Sequence, residues 1–373
     1  MKKIVIVSML SVLSVGMSTP TTGLVVHEWG TFTTVAGRDG AAVDWRPLLA
    51  PDDLPSFVYG PQSSRGKFRR DLNAKFNLSG LVRMETPVIY FYAEGPTEVS
   101  AKVEFPRGNL TEWYPAAKEL PRGLDWGRIL VDPGGAAQLP RESRPSHYYP
   151  ARETDAAPLR VGNETEKLLF YRGVGSFALP VQVTLDGSTV TVINPGRDAI
   201  SRVFVLESRG GKVGFRTLKD LKGEAKVDRP QVVESPQILG KVLERSLVEE
   251  GLFEKEAAAM VKTWQDSWFE DGLRVFYLVP VRVVGAVLPL TIDPKPAELV
   301  RVFVGRVELI TTELEKAALA TVDAAGDLTR PEEAKKALSK LGRFGEPALR
   351  NLLAASSDPA FKSRALAVLA AGP

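Results

Sequence analysis

The sequence predicts an α+β protein with a β-rich, sandwich-like body, an inserted helical hairpin and a helical unit at its carboxyl end. Apolar residues alternate with polar ones in segments such as 98–105, which is the pattern of a half-buried strand. Glycine and proline separate these short runs, as is typical of sandwiches rather than parallel α/β sheets. After Pro230 a helical period replaces the alternation.

The amino-terminal segment has the features of a signal peptide, which we assign to residues 1–18. Two lysines are followed by a run of 14 residues without a charge, Ile4–Met17, and small residues precede an expected cleavage after Ser18. The run is short for a membrane anchor, which needs about 20 apolar residues. We therefore predict export to the periplasm or the medium, with no permanent membrane span.

The β-rich body is predicted to span residues 24–312. The segments Leu81–Ala93 and Glu98–Phe105 have the composition of strands, and the turn at 94–96 between them predicts that they are neighbours in one sheet. Asp186-Gly187 predicts a hairpin further along the chain, because such turns need positive φ angles.

Two segments of the body depart from the strand pattern. Residues 115–160 show no period and are rich in proline, glycine and arginine, so we expect a long ordered loop there. Residues 235–271 are predicted to form a helical hairpin, since Ser235-Pro236 is typical of a helix start and Gly251 of a helix end.

The tail, residues 313–373, is predicted to be helical. Its stretch 341–349 (LGRFGEPAL) resembles the linker and second-helix start of a HEAT-type repeat, and the resemblance covers about forty residues. Such repeats bury their apolar faces only by stacking, so a HEAT-like tail is expected to pack on the body or to belong to a longer array. The resemblance implies a surface for a protein partner rather than a catalytic role.

Composition excludes several classes of function. The 48 Lys and Arg residues against 45 Asp and Glu residues give a formal charge of +3, which is too small for a dedicated nucleic-acid-binding protein. The chain has no cysteine, so disulfides, thiolate zinc sites, iron–sulfur clusters and a cysteine nucleophile are excluded. Its two histidines, His27 and His147, exclude a three-histidine metal site.

The common catalytic and nucleotide-binding motifs are incomplete. Residues 173–178 (GVGSFA) match a relaxed dinucleotide fingerprint, but Leu179-Pro180 and a predicted strand follow where a helix is required. No nucleotide cofactor is therefore expected. His27-Glu28 begins like a zincin motif, yet Thr31 stands where the second histidine belongs.

Four polar clusters embedded in apolar or aromatic sequence are the remaining candidates for chemistry. They are the segments 27–32 (HEWGTF), 83–87 (RMETP), 111–115 (TEWYP) and 147–155 (HYYPARETD). With the opening string HEWGTF, the chain from about residue 24 to 312 resembles an uncharacterised family of exported bacterial proteins. This resemblance implies export and adds no activity or ligand.

These clusters predict one polar site on the body. Charges inside a strand are unfavourable unless they are paired or used, and the 147–155 segment, as a loop, is free to fold over the sheet. The expected residues are His147, Glu85 and Asp155 for catalysis, His27, Glu28, Arg83, Glu112 and Arg152 for binding, and His27, His147 and Glu85 as candidate ligands of a divalent metal. The alternative is that the same charges form structural ion pairs.

Two functions stay open. The first is an exported binding or interaction protein, whose body engages a polymer or protein partner and whose tail docks a protein. The second is an extracytoplasmic hydrolase that is metal-assisted or uses carboxylate acid/base chemistry. We favour the first, because no catalytic motif is complete. An anionic glycan is a candidate partner, since seven arginines occur in or near the expected loop: Arg107, Arg122, Arg128, Arg141, Arg144, Arg152 and Arg160.

Export is testable by amino-terminal sequencing of the protein recovered from its native compartment. We expect the mature chain to begin at Thr19, because Gly16 and Ser18 supply the small residues that signal peptidase requires before the cut. A cytoplasmic product that retains Met1 would contradict this prediction.

Overall fold

The computed structural model describes residues 21–45, 54–60, 80–324 and 331–370. The structure is mixed α/β: 43% of the residues are in strands, which form several sheets, and 27% are in seven helices. A strand-rich body with helices, as the sequence predicts, is therefore confirmed at this level. The predicted signal peptide, residues 1–18, lies outside the described residues.

The elements are numbered in chain order. The strands are β1 (Thr21–Ala36), β2 (Val82–Tyr92), β3 (Thr97–Glu104), β4 (Gly108–Tyr114), β5 (Lys118–Leu120), β6 (Gly123–Val131), β7 (Leu159–Val161), β8 (Glu164–Glu166), β9 (Leu169–Gly175), β10 (Gln182–Asp186), β11 (Thr189–Asn194), β12 (Ile200–Arg209), β13 (Lys212–Leu221), β14 (Gly223–Asp228), β15 (Gly272–Val279), β16 (Leu290–Asp293) and β17 (Pro296–Leu309). The helices are α1 (Pro236–Glu249), α2 (Glu254–Trp268), α3 (Val281–Val287), α4 (Thr312–Ala324), α5 (Pro331–Ser339), α6 (Gly345–Ala355) and α7 (Pro359–Ala370), with short 3-10 turns at Tyr149–Arg152 and Gly342–Phe344. In the described part of the chain, no helix is both long and apolar enough to cross a membrane.

The strands form three sheets. The largest has the order β13-β12-β15-β17-β1-β2-β9-β4, and its neighbours are antiparallel except for β1 and β17, which are parallel. A six-stranded sheet has the order β16-β3-β6-β7-β8 with β5 paired to β6, and a three-stranded sheet has the order β10-β11-β14. The first and last strands of the body therefore meet in the middle of the largest sheet.

Both faces of the largest sheet are covered. One face shares an apolar core with the two smaller sheets, and the other packs against α1, α2 and part of the segment 148–156. A strand that is covered on both faces has no solvent side and needs no alternation. This explains why ten of the eleven residues of β2 are buried, although Arg83 and Glu85 are among them.

The predicted helical hairpin at 235–271 is confirmed as α1 and α2. The Ser235 hydroxyl accepts a hydrogen bond from the Gln237 amide and so caps α1. Gly251 lies just after α1, in the connection to α2, and has a φ of 110°, which a residue with a side chain rarely adopts. The apolar face of α2 lies in the core beneath the largest sheet: Ala257, Met260, Val261, Trp264 and Trp268.

The predicted loop at 115–160 is wrong in part, because β5, β6 and the start of β7 lie within it. Gly127, with a φ of 59°, forms a bulge in β6 where the pairing with β3 shifts between Ala101 and Lys102. A bulge adds one residue to a strand and so breaks the period of two. This break hid β6 from sequence inspection.

The strand pairing predicted around residues 94–96 is also wrong. β2 belongs to the largest sheet and β3 to the six-stranded sheet, so the turn between them connects two sheets instead of closing a hairpin. The hairpin predicted at Asp186-Gly187 is confirmed, since β10 and β11 pair across it and Gly187 has a φ of 57°.

The tail forms an apolar cluster of its own, in which α4 to α7 pack with Val35, Val43, Trp45 and Ile310 of the body. The ring of Phe344 lies 5.9 Å from that of Trp45, measured between centroids. The helical character predicted for residues 313–373 is thus seen in the described part of the tail. Its likeness to a HEAT repeat stays a prediction.

The division between body and tail is testable by ending the chain at Leu328. We expect the body to fold, because neither large core contains a residue beyond Leu309. Loss of Arg343, which pairs with the buried Glu85, and of the contacts of Phe344 should lower the free energy of unfolding by about 3–5 kcal/mol. Urea unfolding followed by circular dichroism measures this. An insoluble product, or one without a cooperative transition, would mean that tail and body share one core.

Candidate functional site

Buried charges connect the body to the tail at one end of the largest sheet. Arg83 and Glu85 are two residues apart on β2, and Arg83 Nε lies 3.3 Å from Glu85 Oε1. Arg343 of the tail donates a hydrogen bond to the same oxygen at 2.9 Å, and the Thr33 hydroxyl donates to the other at 2.7 Å. Glu85 is fully buried, so this carboxylate depends on partners from both parts of the chain.

The pKa of Glu85 is set by two opposing effects. Burial on its own raises this pKa, because it penalises the charged form. The positive charges of Arg343, Arg83 and Arg306 outweigh burial, and together with the hydrogen bond from Thr33 they lower the pKa to about 2. Glu85 is therefore a carboxylate at neutral pH and a weak base, which is poorly suited to accept a proton in catalysis.

The charges continue from Arg343 as an alternating series of ion pairs. Glu270 lies 3.7 Å from Arg343 and 2.8 Å from Arg306. Glu308 lies 3.0 Å from Arg306 and 2.8 Å from Arg274. The side chains of Arg274, Arg306 and Glu308 are at most 2% exposed. Each of these charges has an opposite neighbour, which offsets the high cost of removing it from water.

An open cavity of about 450 Å³ lies beside these ion pairs. We call it the body–tail cleft, because its walls are the ends of β12, β15 and β17 on one side and the start of α4 with residues 340–344 on the other. Five carboxylates and three cations line it: Glu207, Glu270, Asp271, Glu308, Glu313, Arg209, Arg229 and Lys340. The cleft thus offers charges of both signs.

Some of these charges hold the cleft together and others are open to solvent. Glu207 pairs with Arg229 at 2.8 Å and with Arg209 at 2.6 Å. Arg229 also lies 3.4 Å from Glu313 of α4, so it bridges from body to tail. Lys340 is exposed, and within the described residues its ammonium has no ion pair. The charge of Lys340 is therefore open to solvent.

His27 and Glu28 are both buried, but they face opposite sides of β1. His27 Nδ1 lies 2.7 Å from Glu256 Oε2 of α2, on the helical side of the sheet. On the other side, Arg301 donates to Glu28 at 2.5 Å and the Tyr171 hydroxyl donates to its second oxygen. Since neither His27 nor Glu28 is more than 1% exposed, both stabilise packing and do not reach a ligand in solvent.

The 147–155 segment lies along α2 and forms surface ion pairs with it. His147 Nε2 is 2.5 Å from Asp266 Oδ2, and this hydrogen bond lowers the pKa of Asp266. Asp155 is 2.5 Å from the Lys255 ammonium. All four side chains are between 35% and 70% exposed, and pairs of this kind contribute little to stability.

Arg152 is held by a carboxylate and by aromatic rings. Its guanidinium donates to both oxygens of Glu166, at 2.9 and 3.1 Å from Nε, and the Tyr148 hydroxyl donates to the same carboxylate at 2.9 Å. The rings of Tyr148, Tyr149 and Phe57 lie 5.1 to 5.7 Å from its central carbon. These internal partners leave the predicted role of Arg152 as an anion clamp without support.

Glu112, the remaining predicted binding residue, is also internal. It is 1% exposed on β4 and accepts a hydrogen bond from the Thr111 hydroxyl at 2.5 Å. In the pairing of β4 with β9 it lies opposite Arg172. A buried carboxylate opposite an arginine is typical of a structural ion pair, which is the alternative to a binding role for Glu112.

The structure does not bring the predicted site residues together. His27 and His147 pair with different residues of α2, whereas Glu85 pairs with the tail. Glu85 lies opposite Thr31, which is four residues or about 13 Å along the strand from His27. In the described part of the chain, no group of three or more histidine, aspartate or glutamate side chains is placed to hold a metal ion. These placements give no support to one shared site, which stays a prediction.

The partners of these residues were missed by the sequence analysis: Glu256, Arg301, Arg306, Glu308 and Arg343. Arg301, Arg306 and Glu308 interrupt an apolar run in β17, just as Arg83 and Glu85 interrupt the apolar run of β2. A charge inside a predicted strand was therefore a sequence signal for these residues as well. Arg343 lies in a polar linker of the tail, where an arginine carries no signal of burial.

A scan of the chain against models of known protein families and a search of curated proteins both found no match. The resemblance through HEWGTF thus stays a prediction. In the described part of the chain, the body–tail cleft is a place where charges from both body and tail face one open space.

The low pKa of Glu85 predicts how stability depends on pH. The pKa is about 2 in the folded chain against an ordinary 4.5, so the unfolded chain binds the proton more readily and stability falls as the pH drops from about 4.5 towards 2. The contribution at neutral pH is on the order of 3 kcal/mol. Urea unfolding between pH 7 and 2 should show this loss in the wild type and a smaller one in Glu85→Gln.

Glu98→Gln is the matched control for this experiment. Glu98 is 54% exposed and pairs with the exposed Arg128, so its removal should leave the acid dependence close to that of the wild type. If Glu85→Gln kept the full wild-type dependence, other carboxylates would have to carry it.

Proposed function

We propose that this chain is an exported binding protein, and that the body–tail cleft takes up an extended segment of a protein partner. The observation that carries the proposal is the lining of the cleft, where body and tail contribute charges of both signs to one open cavity of about 450 Å³. Cavities of roughly 300–1,000 Å³ are the usual size of ligand sites.

The charges of the cleft favour a polypeptide over a sugar. Lys340 and Arg209 line the cleft together with Asp271 and Glu313. A segment with acidic and basic side chains can satisfy both sets, whereas an anionic glycan would meet five carboxylates. The glycan hypothesis rests on the arginines between 107 and 160, of which only Arg152 is held inside the protein.

A HEAT-like tail supports the same proposal, because such repeats bind proteins through exposed helical surfaces. The tail is also anchored to the body beside the cleft, through its apolar cluster and through Arg343. A wall that is fixed in this way gives a cleft that is formed before the partner arrives, which lowers the entropic cost of binding.

The alternative, an extracytoplasmic hydrolase, draws less support from the site. Glu85 is a weak base with a pKa of about 2, and it is fully buried. His147 and Asp155 pair with residues of α2 rather than with each other. An acid/base mechanism needs two groups that face one substrate.

Selection from a phage-displayed random peptide library tests the proposal. We expect the full chain to select peptides that carry both charge signs and bind saturably. In the double variant Arg209→Glu/Lys340→Glu their affinity should fall about tenfold or more, since two attractive contacts become repulsive. Fluorescence anisotropy with a labelled selected peptide measures the affinity.

Lys226→Glu is the matched control. Lys226 is an exposed lysine on β14 of the three-stranded sheet, and its reversal should leave peptide affinity unchanged. Equal affinity of the wild type and the double variant would remove the cleft from the proposal. Binding to an array of acidic glycans in the absence of any selected peptide would favour the arginine-rich surface instead.

A further inference from the structure

A second cavity lies on the opposite face of the largest sheet, at the same end as the body–tail cleft. Val307 lines this cavity and Glu308 lines the cleft, and consecutive residues of a strand face opposite sides. The cavity measures about 570 Å³ and lies between the end of β1, the turn at 37–42 and the segment 176–183 that leads into β10. We call it the apolar cavity.

The walls of the apolar cavity are mostly hydrocarbon. Eleven of its lining residues are apolar: Val35, Ala36, Ala41, Ala42, Leu81, Phe177, Ala178, Leu179, Val181, Val183 and Val307. Five of them are also buried members of the core between the sheets: Ala36, Phe177, Val181, Val183 and Val307. A ligand in this cavity would thus extend the core and bury its own apolar surface.

The polar groups of the cavity are few, and only one of them is charged. Thr34, Ser176 and Gln182 are neutral, and Asp39 supplies a carboxylate. Among the described residues, no lysine, arginine or histidine lines the cavity. The lining therefore repels a carboxylate or phosphate ligand and attracts a cation.

The Asp39 carboxylate is positioned and partly free. Its Oδ1 accepts a hydrogen bond from the Ala41 amide at 3.0 Å, and its Oδ2 has no partner in the described residues. The neighbouring Arg38 does not neutralise it, because Arg38 pairs with Glu315 of α4 at 3.3 Å. The charge of Asp39 is thus available at the mouth of the cavity.

The turn that carries Asp39 is fixed on two sides. The Leu185 amide of β10 donates to the Arg38 carbonyl at 2.8 Å, and the pair between Arg38 and Glu315 ties the turn to the tail. Gly40 adopts a φ of 82° and lies so close to Thr184 that a Cβ would come within 2.9 Å of its methyl group. The mouth of the cavity is therefore preformed.

We infer that the apolar cavity binds a small ligand with a hydrocarbon body and a protonated amine. The hydrocarbon body lies against the valines and Phe177, and the ammonium group lies at the Asp39 carboxylate. The size of the cavity suits such a ligand, and the lining supplies one anchor for its charge. This site is separate from the body–tail cleft and does not depend on the function proposed for the cleft.

Displacement of a fluorescent probe tests this inference on the full chain. The neutral arylamine N-phenyl-1-naphthylamine becomes fluorescent in apolar surroundings, and we expect the wild type to bind it saturably at one site. Octylammonium should displace the probe about tenfold better than octanoate, because the two differ in the sign of the charge that meets Asp39. Equal displacement by the two amphiphiles, or no uptake of the probe, would overturn the inference.

Three variants test where the probe binds and whether Asp39 sets the preference for a cation. Ala178→Trp adds a large side chain from the exposed rim of the cavity and should abolish the probe signal, while Ala297→Trp, at an exposed position near the start of β17, should keep it. Asp39→Asn retains an oxygen for the Ala41 amide and removes the charge. It should reduce the preference for octylammonium to about threefold or less. Unchanged probe binding in Ala178→Trp would place the probe elsewhere and overturn the assignment.

Discussion

The alternating ion pairs at the start of β15 and the end of β17 are the constraint on which the junction of body and tail depends. Arg306 lies among Glu270, Glu308 and Glu85, and its pKa is raised by these carboxylates although burial acts to lower it. Removing one partner from such a buried set typically costs about 3–5 kcal/mol, because the opposite charge is left without compensation. The strands that carry these charges therefore cannot shift register without losing several pairs at once. The tail adds Arg343 to the same set, so its position is specified by charge as well as by apolar packing.

β1 illustrates how a strand in the middle of the sheet uses both of its faces. In the segment 27–32, His27 and Trp29 face the helices, whereas Glu28 and Phe32 face the smaller sheets. Position 30 has room only for glycine, because a Cβ there would lie 2.7 Å from the Phe303 ring and 3.1 Å from the Pro87 backbone. Every one of these side chains is buried. Packing between the layers thus accounts for the burial of the HEWGTF segment.

Local features of the fold could be predicted from the sequence, and distant pairings could not. The hairpin at Asp186-Gly187 and the cap at Ser235 depend on residues that are neighbours in the sequence, so a short stretch of sequence is enough to predict each of them. The pairs of His27 with Glu256 and of Arg301 with Glu28 join residues 229 and 273 positions apart, and nothing local selects one carboxylate over another. The candidate site shares this limit, because the body–tail cleft exists only once β12, β15, β17 and the tail have come together.

One strand, β17, separates the two cavities of this end of the molecule. Near its carboxyl end, Arg306 and Glu308 lie towards the helical side and pair with charges at the junction with the tail. Val307 lies towards the smaller sheets and joins the core there. The tail contacts the rim of each cavity, through Glu313 near Arg229 on one face and through Glu315 with Arg38 on the other. Since Glu313 and Glu315 belong to the first turn of α4, a displacement of this helix would change both rims together. The rims of the charged cleft and of the apolar cavity therefore both depend on the position of one helix end.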